Sequence, residues 1–167
     1  MGNYGNCRKA AVLFAVAMVF SAASAADDDL TIVPYGNVGY WQILSVHEAN
    51  GRLDHCMATI EYSSGKRVSF NAHSAGGWGF QIHDPSWPSR DLPSLAAAVT
   101  VNDVRMESVP AALVGRSLFL ELNGQQLDRV RAGETILIET DYEAVSLQLY
   151  KPAEATDAAI ACRHKAR

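Results

Sequence analysis

The sequence lacks the residue patterns that mark common catalytic and metal sites. It has five histidines and three cysteines, but no H-x-x-x-H motif and no Cys/His zinc spacing. No G-x-S-x-G nucleophile motif is present, and the glycine-rich stretch 74–79 has neither the lysine nor the strand-to-helix context of a phosphate-binding loop. Its 18 acidic residues offer no pair that can be singled out for glycoside chemistry. The sequence therefore predicts no catalytic residue, no metal ligand and no cofactor.

Positive charge is also scarce. The chain has 14 basic and 18 acidic residues, which gives a formal net charge of −4. The one basic cluster is the C-terminal stretch 163–167, and a solvated tail is its simplest interpretation. Because binding to phosphate backbones requires clustered lysine and arginine, no nucleic-acid partner is predicted.

No apolar run is long enough to span a membrane, which takes about 20 residues. Arg8 and Lys9 precede the uncharged run Ala10–Phe20, and a small-residue segment of the A-x-A type, Ala23–Ala25, follows. This order predicts a cleaved secretory signal over residues 1–25, with a retained anchor as the alternative. Cleavage would remove two basic residues and no acid, which takes the net charge from −4 to −6. The mature chain is then expected to be periplasmic or secreted and not membrane-spanning.

Cysteine is rare in the predicted mature domain, residues 26–167, which contains only Cys56 and Cys162. An even count in an exported chain indicates a disulfide. A bridge that closes a loop of about 100 residues can stabilise the fold by roughly 4–5 kcal/mol in the chain-entropy model. Two free buried thiols are one alternative. A redox-active cysteine is another, although neither a C-x-x-C motif nor a basic neighbourhood surrounds Cys56.

What the sequence does contain is a strong period of two between Cys56 and Trp87. Three apolar runs follow one another there, at Cys56–Tyr62, Arg67–Ala72 and Trp78–Ile82. In the last two, apolar side chains alternate with polar side chains or glycine, and segments rich in serine and glycine separate the runs. Since this pattern is typical of strands with one buried face, the stretch predicts a three-stranded antiparallel meander.

Apolar runs on either side extend the β prediction to the whole chain. Val38–Val46 is rich in aromatic and β-branched residues, and the turn signal Asn50-Gly51 joins it to the meander. Three prolines predict an irregular loop over 83–93, and Pro110 and Gly115 bracket a second link. Further strands are predicted at Leu30–Pro34, Leu95–Val101, Val104–Val109, Ser117–Leu122, Thr135–Thr140 and Ala144–Tyr150. The predicted fold is mostly β, an antiparallel β-sandwich of about eight to ten strands with one or two short helices.

One short helix is predicted at Gly124–Ala132. Asn123 can cap it with Gln126 at the capping-box position, and Gly133 fits the stop that follows. The pair Asn123-Gly124 also fits a tight hairpin between apolar runs, which is the alternative.

A second helix is predicted at the C-terminus. Pro152 suits its first turn, and acidic residues lie near its start and basic ones near its end. One face carries small residues that would let the helix lie close to a sheet, namely Ala155, Ala158, Ala159 and Cys162. A Cys56–Cys162 bridge would pin this helix to the first strand of the meander.

Four residues around the meander are candidate binding residues: Trp78, Trp87, His73 and His83. The two tryptophans belong to an aromatic group in the first half of the chain whose roles are either core packing or a binding face. Trp87, in the proline-rich loop, either plugs the end of the sandwich or anchors a partner at the surface. His73 and His83 flank one predicted strand and could converge with Asp84, while exposed loop histidines are the alternative.

A resemblance to a known family is carried by single residues spread over most of Val38–Cys162. They are Trp41, Cys56, Gly77-Trp78, Pro85 and Trp87, followed by Leu147 and Leu149 ahead of an Ala-rich helix that ends at Cys162. In this arrangement the chain resembles small exported proteobacterial proteins and is reminiscent of the invasion-associated locus B family, which generally has more cysteines. The resemblance implies a periplasmic or secreted β-sandwich that contacts the cell envelope or a host, and it carries no catalytic residues.

The export signal and the lack of a reactive constellation favour a non-enzymatic binding protein associated with the envelope, with an envelope or host protein as its partner. Its ligand is not specified by any motif. One alternative is a small periplasmic hydrolase that uses His73 or His83 with Asp84. A purely structural envelope protein is another.

Overall fold

The structure, a computed structural model, describes residues 30–166 and shows ten strands and two helices in that range. The strands are β1 (Thr31–Val38), β2 (Trp41–His47), β3 (Leu53–Glu61), β4 (Arg67–His73), β5 (Trp78–His83), β6 (Arg90–Val101), β7 (Val104–Gly115), β8 (Ser117–Leu122), β9 (Thr135–Glu139) and β10 (Ala144–Gln148). The helices are α1 (Gly124–Arg131) and α2 (Pro152–Lys165). The predicted secretory signal lies outside the described residues. Between residues 30 and 166, neither helix combines the length and apolar character that crossing a membrane requires.

All ten strands belong to one antiparallel sheet with the order β1-β2-β3-β4-β5-β8-β7-β6-β9-β10. The sheet curls, because residues near its two ends meet. The indole Nε1 of Trp41 donates a hydrogen bond to the carbonyl of Tyr150, and the Tyr62 hydroxyl donates to the carbonyl of Gln148 at 2.7 Å. Both halves of the sheet therefore face one hydrophobic core, and the predicted mostly-β antiparallel fold is confirmed.

The core is centred on three aromatic side chains of β2, β4 and β5. The ring centres of Trp41 and Phe70 are 5.4 Å apart and those of Phe70 and Phe80 are 5.0 Å apart. All three residues are at most 1% exposed. Truncating one such aromatic side chain to alanine costs about 3–5 kcal/mol, so this cluster contributes strongly to the stability of the meander.

A disulfide between Cys56 and Cys162 joins α2 to β3, as predicted. The facing residues Ala155 and Ala159 of α2 are fully buried, and their small side chains allow the helix to lie against β2, β3 and β4. The alternatives of free thiols and of a redox-active cysteine are not supported by this pairing. Disulfides persist in oxidising compartments, so the bridge indicates a non-cytoplasmic environment.

The short helix is confirmed and the hairpin alternative at Asn123-Gly124 is wrong. Asn123 and Gln126 exchange the two hydrogen bonds of a capping box at 3.0 and 2.9 Å, which satisfies two donors at the start of α1. Gly133 does follow the helix, but steric room is the reason for a glycine there. A Cβ at this position would lie 2.2 Å from Cγ1 of Val101, so no side chain fits without movement.

Two strand predictions are corrected at their boundaries. Val38–Val46 is not one strand, because Gly39 adopts a left-handed φ of 58° and turns the chain between β1 and β2, with Val38 paired to Trp41. Tyr40 therefore sits in the turn, where it is 74% exposed. The predicted edge strand also continues past Pro34, with an irregularity in register between Pro34 and Gly36.

The prolines interrupt the sheet less than expected. The loop over 83–93 ends early, because β6 begins at Arg90 and includes Pro93. This proline lies where the strand register shifts, between Leu92 and Leu95. The link around Pro110 is also strand, since β7 runs through it to Gly115. A proline is tolerated where the ladder does not use its missing N–H, as at a bulge, so a count of prolines overestimates the length of loops.

Candidate functional site

The two candidate tryptophans lie on the core side of the sheet. Trp87 is 8% exposed and belongs to the hydrophobic core, so the structure places it as a plug and not as a surface anchor. Trp78 is half-buried and pairs with the inward-facing Ala72. The Arg163 guanidinium of α2 lies 5.8 Å from the centre of the Trp78 ring, a cation–π contact that covers part of this ring.

The two candidate histidines lie on the opposite side of the sheet but at opposite ends of it. His83 is opposite Arg67, the first residue of β4, whereas His73 is the last residue of that strand. Six residues of extended chain separate these positions by about 20 Å. The structure therefore keeps the side chains of His73 and His83 apart, and strand alternation places both on the face opposite Trp78.

The side chain of Asp84 forms its contacts within and beside the turn that follows β5. Its carboxylate accepts hydrogen bonds from the backbone N–H and the hydroxyl of Ser86 at 2.9 and 2.6 Å, and it pairs with the Lys66 ammonium at 3.2 Å. Burial opposes its ionisation, but the bonds from Ser86 and then the charge of Lys66 prevail and lower the pKa of Asp84. Among the described residues, the Asp84 carboxylate is thus bonded to Ser86 and Lys66 and to neither candidate histidine.

Each candidate histidine has a different neighbour. His83 Nδ1 lies 3.1 Å from the Ser117 hydroxyl on β8. His73 lies beside His55, with ring centres 5.7 Å apart, and His55 is held by Asp54 at 2.7 Å. Burial, followed by the nearby His55, lowers the pKa of His73, so the neutral imidazole is favoured there. Within residues 30–166, no three side chains of histidine, cysteine, aspartate or glutamate are grouped so that they could hold a metal ion.

The side of β1–β5 and β8 that points away from the core is here called the outer face. Strand alternation directs every second side chain of the meander toward it. Cross-strand pairing then aligns five uncharged hydrogen-bonding residues, one from each of β1–β5, in what we call the polar row: Asn37, Gln42, Thr59, Ser69 and Gln81. Strands are spaced by about 4.8 Å, so the row extends over about 19 Å.

The centre of the polar row is buried and internally hydrogen-bonded. Thr59 and Ser69 are 8% and 4% exposed, and the Ser69 hydroxyl donates to the Thr59 hydroxyl at 2.9 Å. Thr59 in turn donates to the backbone carbonyl of Val68 at 3.3 Å. This chain of bonds fixes both hydroxyls and leaves acceptor capacity on the Ser69 oxygen, since a hydroxyl oxygen has two lone pairs.

Asn71, two residues beyond Ser69 on the same strand, is the residue of the outer face with an unsatisfied polar atom. It is 7% exposed, and its side-chain oxygen is buried without a hydrogen-bond partner among the described residues. Its neighbour across the strands is Gly79, where a Cβ would lie 3.4 Å from both Asn71 Nδ2 and His73 Nε2. The glycine leaves a gap over the amide. A buried polar atom without a partner costs about 1–3 kcal/mol, so a donor that reaches this oxygen would recover that energy.

Two depressions open on the outer face on either side of Met57 and Arg67, which line both. The larger has a volume of about 520 Å³ and extends to Tyr40 and Gln42. The smaller, of about 200 Å³, extends to Ser69, Gln81 and His83. Arg67 is paired with Glu61 at 3.2 Å, so the charge between the depressions is balanced locally.

Sequence reasoning selected the two histidines of this region but missed the polar row and Asn71. A signal was present, because Ser69 and Asn71 alternate with the buried residues of β4 and Gln81 does the same on β5. Alternation assigns these residues to one face. It does not predict that side chains on the solvent side are themselves buried, which depends on neighbours from other strands.

Comparisons with models of known protein families, with curated proteins and with solved structures gave no match. The interpretation of the outer face therefore depends on its geometry and chemistry.

Proposed function

We propose that the protein is an exported, non-enzymatic binding protein of the periplasm or the extracellular space, and that the outer face binds its ligand. One observation carries this proposal: the buried, unpaired side-chain oxygen of Asn71 lies beside a row of uncharged hydrogen-bonding side chains. Proteins pair nearly all their buried polar groups, so an orphaned acceptor beside the polar row is accounted for by a ligand that supplies the donor.

Two features support the proposed compartment. The disulfide between Cys56 and Cys162 is typical of oxidising compartments. The pattern of residues 1–25 is that of a secretory signal. The resemblance to the invasion-associated locus B family is consistent with both features and extends the proposal to a component of the cell envelope or of a host as the partner.

The proposal is tested by blocking the outer face with charge. The double variant Gln42→Arg/Gln81→Arg would fill the two depressions with long cationic side chains. Gln148→Arg is the matched control, because Gln148 is an exposed glutamine on β10, away from the outer face. The wild-type protein, the double variant and the control are immobilised in mature form and exposed to envelope extracts separated into protein, lipid and saccharide fractions. The retained components are identified by mass spectrometry.

We expect one component to be retained by the wild-type protein and by the control, and to be held about tenfold more weakly by the double variant. Equal retention by all three proteins would remove the outer face from the proposal. If the wild-type protein retains nothing from any fraction, the binding function itself is wrong.

A small hydrolase is a second candidate, and the contact between His83 and Ser117 favours it. The 3.1 Å separation is within the range in which an imidazole can accept the proton of a serine hydroxyl. If this dyad is catalytic, hydrolysis of p-nitrophenyl acetate falls about a hundredfold in both Ser117→Ala and His83→Ala. Ser146→Ala on β10 is the control. A rate equal to that of buffer alone, or one that neither variant lowers, excludes the dyad.

A further inference from the structure

We infer that the ligand of the outer face is an uncharged saccharide chain, bound across the strands along the polar row. This inference depends on the proposed function and specifies its ligand.

The polar row carries no positive charge that is free to bind an anion. The five residues of the row are neutral, Arg67 is paired with Glu61, and His55 is paired with Asp54. The nearby Glu121 on β8, opposite Gly79, is an exposed acid. An anionic ligand placed here would lose hydration without gaining an opposite charge, which is unfavourable. Charge complementarity therefore favours an uncharged occupant over an anionic lipid headgroup or a nucleic acid.

The hydrogen-bonding groups of the outer face are complementary to the hydroxyl groups of a sugar. Amide side chains such as those of Gln42, Gln81 and Asn71 offer both donors and acceptors, as a hydroxyl group does. The buried oxygen of Asn71 needs a donor, which an acyl chain does not have. A peptide recognised by strand addition would pair with the backbone of a sheet edge, whereas these groups are side chains in the middle of the sheet.

An aromatic surface lies at one end of the larger depression. Tyr40 is 74% exposed and lines the depression together with Gln42 and Leu44. Its ring is held by an edge contact with Tyr150, at 4.8 Å between ring centres, so the ring is positioned before any ligand arrives. The electron-rich face of an aromatic ring attracts the slightly positive C–H groups of a sugar, and this supplies apolar contact without charge.

The dimensions favour a chain of sugars over a single one. The polar row repeats one hydrogen-bonding side chain per strand, about every 4.8 Å, for about 19 Å. A chain of sugars can reach the accessible members on both sides of the buried pair Thr59 and Ser69, whereas a monosaccharide reaches those on one side only. Affinity is therefore expected to rise with the number of sugar units.

The test is calorimetric titration of the mature wild-type protein with cellopentaose, maltopentaose, mannopentaose and chitopentaose, each compared with its disaccharide. Pentagalacturonate is the anionic probe and phosphatidylcholine vesicles are the lipid probe. The variants are Asn71→Leu and Tyr40→Ala, with Gln148→Leu as the control that makes a matched amide-to-leucine change. Circular dichroism verifies the fold of each variant. If Asn71→Leu does not fold, Gln42→Leu replaces it as the test variant.

We expect at least one neutral pentasaccharide to bind, more tightly than its disaccharide and more tightly than pentagalacturonate. Its affinity should fall about tenfold in each outer-face variant and stay unchanged in the control. Saccharide binding that these variants leave unchanged would overturn the placement. If no neutral saccharide binds while retention of an envelope component still depends on Gln42 and Gln81, the saccharide assignment is wrong and the proposed binding function stands.

Discussion

At the scale of single residues, Asn71 occupies a position where folding and ligand binding favour different side chains. Its amide occupies a buried position on the outer face and receives no hydrogen bond at its oxygen from the described residues. Folding alone would favour an apolar residue here. A polar residue is explained if the oxygen is used when a ligand is bound.

The first prediction concerns the contribution of Asn71 to stability. Asn71→Leu removes an unsatisfied buried acceptor, so we expect the free energy of unfolding to increase by about 1 kcal/mol. Thr59→Val, on the same face, removes the acceptor of the Ser69 hydroxyl and should lower it by about 1 kcal/mol. Urea denaturation measures both. A loss of stability in Asn71→Leu as large as that in Thr59→Val would show that the asparagine is a structural residue.

The second prediction concerns Asp84. Because the folded state lowers the pKa of this carboxyl, the charged form is the stabilised one. The stabilisation is complete above the unfolded-state pKa and is lost as the pH falls through the lower folded-state pKa. Asp84→Asn should therefore lose stability mainly at neutral pH and differ less from the wild type in acid. Urea denaturation at about pH 6 and at about pH 3 tests this, and an equal difference at both values would contradict it.

At the scale of elements, sequence patterns predicted the central meander, both helices and most strands. The period of two across Arg67–Ala72 and Trp78–Ile82 is strong because one face of each strand lies against the core. Boundaries were less predictable. The turn at Gly39 and the strands that pass Pro93 and Pro110 depend on backbone conformation and on which N–H groups the neighbouring strand uses, and composition does not contain that information.

The third prediction is at Gly133, which follows α1. Gly133→Ala would place its Cβ against Val101, so we expect a loss of about 1–3 kcal/mol in the free energy of unfolding. Gly124→Ala, at the first residue of α1, is the matched control, since nothing lies within 4 Å of a Cβ there. The control should be neutral or slightly stabilising. Similar losses at both glycines, measured by thermal and urea denaturation, would refute the steric explanation.

At the scale of the whole molecule, one covalent link joins the C-terminal helix to the sheet. The two cysteines are 106 residues apart, so the bridge constrains most of the described chain in the unfolded state. The even cysteine count was enough to predict this link. The site was less accessible to sequence reasoning, because the polar row is assembled from five strands whose register no local pattern specifies.

The fourth prediction tests the link. The double variant Cys56→Ser/Cys162→Ser should be less stable by about 2–5 kcal/mol, and the reduced wild-type protein should behave in the same way. Urea denaturation of the oxidised, reduced and variant proteins gives the comparison. A difference below about 1 kcal/mol between oxidised and reduced protein would mean that packing of α2, and not the bridge, holds the helix in place.

The central claim is that the outer face of the meander binds a ligand. Mapping amide NMR chemical shifts of the mature protein, with and without the retained envelope component, tests it most directly. We predict that the shifted signals cluster at Gln42, Ser69, Asn71 and Gln81. Shifts confined to β6, β7, β9 and β10, with the signals of these four residues unchanged, would contradict the claim.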